Sequence, residues 1–281
     1  MGWAAAMTHD PELVQEIRDR EWFHTIDLGD GLVTRGNPPS ELLSAPKAIP
    51  EVRGQSVLDI GAWDGKYSFE AERAGARRVV ALDHFVWRLN PAKLQAYYEA
   101  CEREGRLPDP DMVGAAFLEV DTVPLKRGFD LAHAYLDSHV EAVVDDFMTM
   151  DLNTLGTFDI VFYFGVLYHM INPLGALQRL RSVTGKVAVI ETAAVLIPGY
   201  PDTSLVEFYA GKERNGDYTN WFAPTEAALH GMCRAAGFGR VETRAARIRP
   251  RPPSTAAWRR IVGREGPLSP SNHRLVVHAF P

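Results

Sequence analysis

The chain has 281 residues, 46% hydrophobic and 23% charged, with a formal net charge of −6. That composition excludes a disordered or fibrous chain and suits a soluble globular protein with one large core or two small ones. Its acidic balance gives no overall attraction to nucleic acid or to an anionic membrane. Only Cys101 and Cys233 occur, far apart and without metal-ligand spacing. A reducing compartment, the cytoplasm, is therefore expected, with neither disulfide framework nor metal site. No apolar run reaches the roughly 18 residues of a membrane span. The start, M-G-W-A-A-A-M-T-H-D, has no secretory-signal pattern, and Ala6 stands where a myristoylation site needs Ser or Thr.

The first predicted element is a helix over 8–20. Thr8 or Asp10 caps it, Pro11 opens it, and Leu13, Val14 and Ile17 share one face. An aromatic preamble follows, with Trp22, Phe23 and His24 ahead of two glycine-marked turns. It reads equally as a lid over a ligand site or as a plain packing segment. Pro38-Pro39 then leads to a helix expected over 40–50.

The stretch from Ser56 to Phe85 organises the rest. Val57, Leu58 and Ile60 suit a buried parallel strand, and Gly61-Ala62-Trp63-Asp64-Gly65 a tight turn. Tyr67, Phe69, Ala71 and Ala74 carry a helix that stops at Gly75. Val79 to Leu82 form a second strand, closed by Asp83. An acidic residue about 20 positions after a glycine turn reads ribose hydroxyls in nucleotide-binding βαβ units. A dinucleotide fits poorly, because Trp63 replaces a close-approach glycine and Asp59 and Asp64 repel phosphate. A ligand with ribose, adenine and an ammonium-bearing tail fits better, and S-adenosylmethionine (SAM) is such a ligand.

Residues 86–126 are too long for a simple connection and hold a helix from Pro91 to Glu104. The next core helix is expected over Phe129 to Leu136 and a third strand over Val140 to Val144. Phe158 to His169 is the fourth strand and its exit, broken by Gly165, with Tyr168 and His169 projecting from the turn. A helix from Pro173 to Leu180 precedes a fifth strand, Val187 to Ile190, ending at Glu191-Thr192. Residues 196–224 form a second aromatic, glycine-rich excursion. A helix from Pro224-Thr225-Glu226 to Gly237 and strands over Arg240 to Arg247 and Leu275 to Phe280 complete the chain.

D-I-G-A-W-D-G followed by A-L-D resembles the first two motifs of class I SAM-dependent methyltransferases. That resemblance implies an α/β, Rossmann-like doubly wound sheet, mostly parallel with an antiparallel last strand. It implies residues 1–50 as an N-terminal helical and aromatic lid, and 51–281 as the SAM-binding domain with insertions at 86–126 and 196–224. The cofactor set it implies is Asp59, Gly61, Ala62, Trp63, Gly65, Tyr67, Asp83, His84, Asp146, Phe147, Phe164, Gly165 and Tyr168. In it Asp146 takes the adenine amino group and the Phe147 backbone a ring nitrogen.

W-F-H-T-I-D-L-G-D-G, D-I-G-A-W-D-G-K-Y-S-F-E-A, G-V-L-Y-H-M-I-N-P-L, I-E-T and N-W-F-A-P-T together narrow the resemblance to the group related to tRNA 5-hydroxyuridine (wobble uridine) methyl- and carboxymethyltransferases. In that group a Lys, the Tyr of the L-Y-H motif and a C-terminal Arg read the extra carboxylate of carboxy-SAM. Tyr168 and Arg274 match the last two. No Lys precedes Lys47, and Arg35 is not an equivalent ligand, so ordinary SAM is the expected donor.

Methyl transfer is an in-line displacement, lowered mainly by positioning, and a hydroxyl acceptor also needs a base. His169 is the first candidate, weighed evenly against a packing role for the Y-H turn. Tyr168, His24 and Glu191 complete the catalytic candidates. Trp22, Arg35, Tyr209, Trp221 and Arg274 are the substrate-binding candidates, although aromatics at such spacings are more often core. Nine arginines between Arg234 and Arg264 face one acidic residue, Glu242. They form a phosphate-binding strip or, in the preferred reading, a solvated face. The expected function is therefore methyl transfer from SAM to a small-molecule acceptor, at a hydroxyl in secondary-metabolite biosynthesis. The alternatives are a tRNA wobble-uridine enzyme and a non-catalytic SAM-binding protein. The sequence carries no sign of oligomeric state.

Overall fold

A computed structural model describes residues 10–38, 40–109, 117–119, 122–197, 200, 202–249 and 271–281. Helix α1 (Pro11–Asp19) is capped by Asp10, whose carboxylate accepts the Glu12 N–H. A short hairpin, β1 (Asp27–Gly29) and β2 (Leu32–Val33), follows the aromatic preamble. The helix expected over 40–50 does not form. One helical bond, Ser44 N–H to Ser40 O, gives way to tighter turns, because Pro46 has no N–H to continue it and Lys47 adopts φ 64°.

From Ser56 onward the elements alternate as the sequence predicts. They are β3 (Ser56–Ile60), α2 (Lys66–Arg73), β4 (Arg78–Leu82), a single turn α3 (Phe85–Arg88) and α4 (Pro91–Glu104). Next come α5 (Arg127–Tyr135), β5 (Glu141–Val143), β6 (Phe158–Phe164), a 3-10 turn at Leu167–His169 and α6 (Pro173–Val183). The chain then runs through β7 (Thr184–Leu196), a second hairpin of β8 (Val206–Phe208) and β9 (Phe222–Pro224), and α7 (Glu226–Ala235). It closes with β10 (Arg240–Arg249) and β11 (Ser271–Phe280).

Seven strands form one sheet in the order β10-β11-β7-β6-β3-β4-β5. The pairs among β3 to β7 are parallel, and β11 runs antiparallel to both β7 and β10. Strand order reverses between β3 and β6, and in open α/β sheets that reversal opens a crevice beyond the strands' carboxyl ends. β7 runs well past its expected end at Ile190. β6 pairs with it only as far as Glu191, but β11 pairs with it out to Leu196. The overhang supports the β8–β9 hairpin, with Ala193 and Val195 packed against Tyr209 and Ala223.

Helices cover both faces. On one, Ile17, Trp22, Leu28, Phe69 and Phe129 pack over Val57, Phe162 and Val189. On the other, Leu177, Leu180, Leu229 and Cys233 pack over Leu58, Val161 and Ile190. Cys101 and Cys233 are both buried and free. Among the described residues no helix is long and apolar enough to cross a membrane.

Candidate active site

The carboxyl ends of β3, β4 and β6, with the middle of β7 where β6 leaves it, bring Asp59, Asp83, Phe164 and Glu191 to one rim of the sheet. Gly61, just past β3, has φ +79°, and a Cβ there would lie 2.6 Å from Cγ2 of Val166. Gly65 (φ +80°) begins α2, and a Cβ there would strike the rings of Phe69 and Phe129 at 2.5 and 2.6 Å. Both positions therefore exclude side chains, because a left-handed φ and the close approach of Val166, Phe69 and Phe129 leave no room for a Cβ. Trp63 adopts φ 50° without being glycine. Its N–H donates to Asp83 at 3.0 Å, and its carbonyl accepts the Trp87 indole N–H at 2.7 Å.

Asp59 and Asp83 are 3% and 4% exposed. Burial pushes Asp59 up to about 7, with the nearby Asp83 charge adding to it, while the Ser68 hydroxyl at 2.6 Å opposes. Burial pushes Asp83 up to about 6 against four backbone N–H groups, those of Trp63, Val86, Trp87 and His84. Neither carboxylate has a cationic side chain as a hydrogen-bond partner among the described residues. Two desolvated carboxylates beside a glycine-bounded turn fit a ligand that brings its own cation and hydroxyls.

Asp64 serves a different purpose from Asp59. Its Oδ2 accepts the backbone N–H groups of Phe23 and His24 at 2.7 and 3.0 Å. The Phe23 ring stacks on Trp63 with centroids 3.5 Å apart. Lys66, 5% exposed, donates to the Thr25 carbonyl at 3.1 Å and to Glu70 at 2.6 Å, and Arg73 donates to the Asp27 carbonyl. The preamble is thus clipped to the glycine turn and to α2. His24 lies in this clip, edge-on to Trp63 and Tyr67. Burial, helped by the Lys66 ammonium, lowers its imidazole to about 4, so the ring is neutral at pH 7.

At the exits of β6 and β7, Arg274 of β11 donates Nε and Nη2 to the two Glu191 oxygens, each at 2.5 Å. Its guanidinium lies 5.3 Å from the Tyr168 ring centroid. The His169 ring packs on Tyr168 with centroids 4.3 Å apart, and its Nδ1 is 3.0 Å from the Thr219 carbonyl and 2.9 Å from the Thr219 hydroxyl. Burial lowers the His169 pKa, opposed by the charge of Asp217. The second excursion is tied to this turn by the backbone, since Trp221 N–H donates to the Tyr168 carbonyl and Tyr209 N–H to the Trp221 carbonyl. A cavity of about 310 Å³ lies beside the site, between residues 49–52 and α2, and shares only Tyr67 with the expected cofactor set.

The methyltransferase-domain family model matches residues 16–243. The chain belongs to this family. Its sequence is similar to a tRNA U34 carboxymethyltransferase of Colwellia psychrerythraea, 29% identical over 200 residues, covering 69% of this chain and 47% of the relative. It is likewise similar to a tRNA U34 carboxymethyltransferase of Psychrobacter arcticus, 30% identical over 195 residues, covering 69% and 46%. The chain thus spans less than half the length of the curated relatives it matches. The solved N-terminal domain of EvdMO1, determined with SAH and D-fucose present, superposes with a TM-score of 0.56 at 17% identity. It covers 96% of this chain and 94% of that one and shows the fold.

Within this class I methyltransferase the family's cofactor is SAM, and the rim residues suit it. Asp59 would offer a bound SAM a partner for its ammonium, and Asp83 one for its hydroxyls. SAM supplies an electrophilic methyl group; binding, orientation and proton handling fall to the chain. Asp146 uses its carboxylate to cap its own turn, accepting from Met148 N–H and Thr149 Oγ1, while its neighbour Phe147 is buried against Tyr163. His84 lies half-buried at the start of α3, with its pKa lowered by burial despite the nearby Asp146 charge.

Several of the expected site residues are placed elsewhere or are already occupied. Trp22 is core, 7% exposed, with its indole N–H donated to the Ile17 carbonyl. Arg35 is exposed on the strand-to-loop exit of β2. Glu191 is held by Arg274 in a bidentate pair, so it is not a free base. Tyr209 is 6% exposed, its hydroxyl shared between Glu207 and Arg214. Of the arginine strip, Arg240 and Arg244 pair with Glu242, and Arg247 with Glu41. Arg251, Arg259, Arg260 and Arg264 lie outside the described residues. Sequence reasoning gave no role to Phe23, Ser68, Lys66, Asp217 or Thr219. Phe23 carried a signal as part of the W-F-H motif, and Lys66 and Ser68 as part of D-I-G-A-W-D-G-K-Y-S-F-E-A.

Proposed function

We propose that this methyltransferase moves a methyl group from SAM to a hydroxyl oxygen, and that the acceptor is the 5-hydroxyl of a tRNA wobble uridine. The acceptor reading rests on the relatives, which are tRNA U34 carboxymethyltransferases by name. One observation of this chain accords with the likeness to that group, though not with a particular acceptor. Tyr168 and Arg274, the two positions matched to that group's donor-reading residues, come from elements far apart in sequence and meet with the guanidinium 5.3 Å from the ring. SAM itself is the proposed donor, because Arg274 already gives Nε and Nη2 to the two Glu191 oxygens and Arg35 is exposed. His169 is the proposed base, since it stays neutral at pH 7 and sits in the Y-H turn beside Tyr168. The preamble clipped to the glycine turn is the proposed lid. The cytoplasm, where tRNA and SAM occur together, is the compartment this implies.

A small-molecule hydroxyl is the second reading, the one the sequence alone favoured. The second excursion supports it, because Tyr209 and Trp221 are pinned to the Tyr168 turn and wall the exit of β6 closely. Methyl-tritiated SAM added with the purified chain to a host lysate, then split into RNA and small-molecule fractions, separates the two. Label in tRNA supports the wobble-uridine reading. Label only in small molecules replaces it with the biosynthetic one, and label in neither fraction removes both.

A further inference from the structure

The His169 ring is held by a short polar chain from the second excursion, and the direction of each bond in it can be worked out. The Thr219 carbonyl, 3.0 Å from Nδ1, can only accept, so Nδ1 must carry the proton. The Thr219 hydroxyl, 2.9 Å from the same nitrogen, donates its own proton to Asp217 Oδ1 at 2.7 Å. It therefore accepts from Nδ1 as well. Asp217 Oδ1 also takes the Thr219 backbone N–H at 2.8 Å, which fixes the loop that presents the carbonyl. With burial keeping the ring neutral, the lone pair lies on Nε2, which meets no hydrogen-bond partner among the described residues. A second backbone bond, Trp221 N–H to the Tyr168 carbonyl, keeps this loop in register with the Y-H turn.

We propose that Asp217 and Thr219 are positioning residues that lock His169 in its Nδ1–H tautomer and leave Nε2 as the proton acceptor. The role follows the logic of a base oriented by a second polar group. It rests on the reading of His169 as the base in methyl transfer. In that step the acceptor oxygen bonds to the methyl carbon, and the carbon–sulfur bond breaks with its electron pair staying on sulfur. The hydroxyl proton goes to Nε2 of His169. An Nε2–H tautomer would present a proton where a lone pair is required, so the relay decides whether the ring can act at all. Acceptor class makes no difference, because tRNA and small-molecule hydroxyls make the same demand.

Nitrogen-15 NMR of the imidazoles at pH 8, assigned with His169→Ala, reads the tautomer on the free chain without any acceptor. An Nδ1–H signal for His169 is expected, and an Nε2–H signal would overturn the proposal. Kinetics with labelled SAM give the second readout. Thr219→Val and Asp217→Ala are expected to lower kcat roughly ten- to hundredfold, part of what a general base contributes, with the KM for SAM unchanged. Thr219→Ser should recover most of the rate. Full kcat in Thr219→Val would also overturn the proposal. An intact Nδ1–H signal in a wild-type chain that transfers no methyl would support the relay and sink only the transfer reading.

Discussion

Asp59→Asn should stabilise the empty protein at pH 8 and at the same time weaken SAM binding. Asp59 is 3% exposed, Ser68 donates to it through its hydroxyl and its backbone N–H, and burial carries its pKa from 3.8 to about 7. Between those values lie roughly three tenfold steps, each worth about 1.4 kcal/mol. Holding the charge in the empty fold therefore costs roughly 4 kcal/mol at pH 8. A raised carboxylate of this kind favours folding below its unfolded pKa, and that contribution is lost as pH rises through the folded value. The cost accordingly grows between about pH 4 and pH 7, and less than half of it remains at pH 5. Asparagine removes the charge and keeps an acceptor for Ser68, but it buries an amide N–H₂ at a cost of about 1–3 kcal/mol. The net gain is roughly 1–3 kcal/mol at pH 8, or about 2–12 °C in Tm for a chain of this size. At pH 5 the gain should vanish or reverse. SAM affinity should fall at least tenfold, as expected when a cation loses a charged partner. Thermal melts at pH 5 and pH 8, with SAM titration at pH 8, check both parts. A Tm lowered equally at both pH values, or unchanged SAM affinity, would refute the reasoning.

Three further outcomes follow from the same geometry. Gly65→Ala should destabilise by roughly 2–5 kcal/mol in thermal or urea denaturation, because it combines a left-handed φ with a Cβ placed 2.5 Å from Phe69. A loss under 1 kcal/mol would mean that the turn relaxes freely. Asp64→Ala removes the acceptor for two backbone N–H groups. It should speed amide hydrogen exchange across residues 23–34 by at least tenfold, the equivalent of about 1.4 kcal/mol, while leaving β3 protected. Unchanged exchange would show that the other contacts suffice to hold the preamble. His169→Ala should slow transfer roughly 100-fold or more with SAM affinity intact, and undiminished turnover would remove it as the base.

Where the deciding contacts are local, the sequence was readable. The unit from Ser56 to Asp83 needed only an apolar run, two glycines and an acidic residue, and α4 was placed from Pro91 at its start. The failure at 40–50 was also local, since Pro46 has no N–H with which to continue the helix that Pro38-Pro39 was expected to start. The length of β7 was hidden because its partner β11 lies about 80 residues downstream, and a strand's end depends on what pairs with it. Within the site, residue types were legible and their partners were not. Asp64 was read only as a charge that repels phosphate, and its partners, the N–H groups of Phe23 and His24, lie some 40 residues upstream. Glu191 looked like a base until Arg274, 83 residues downstream, occupied both its oxygens. Trp22 carried the composition of a pocket residue and the burial of a core one.

Everything proposed for the chemistry depends on SAM lying at the carboxyl ends of β3 and β4 with Asp83 as its hydroxyl partner. Isothermal titration of the purified chain with SAM, wild type against Asp83→Ala, tests this most directly, with circular dichroism confirming that the variant is folded. Saturable binding by the wild type, and a loss of at least tenfold in the variant, is the predicted result. Equal affinity in the two proteins would contradict the placement and, with it, the roles of Asp59, Tyr168 and His169 in binding and transfer.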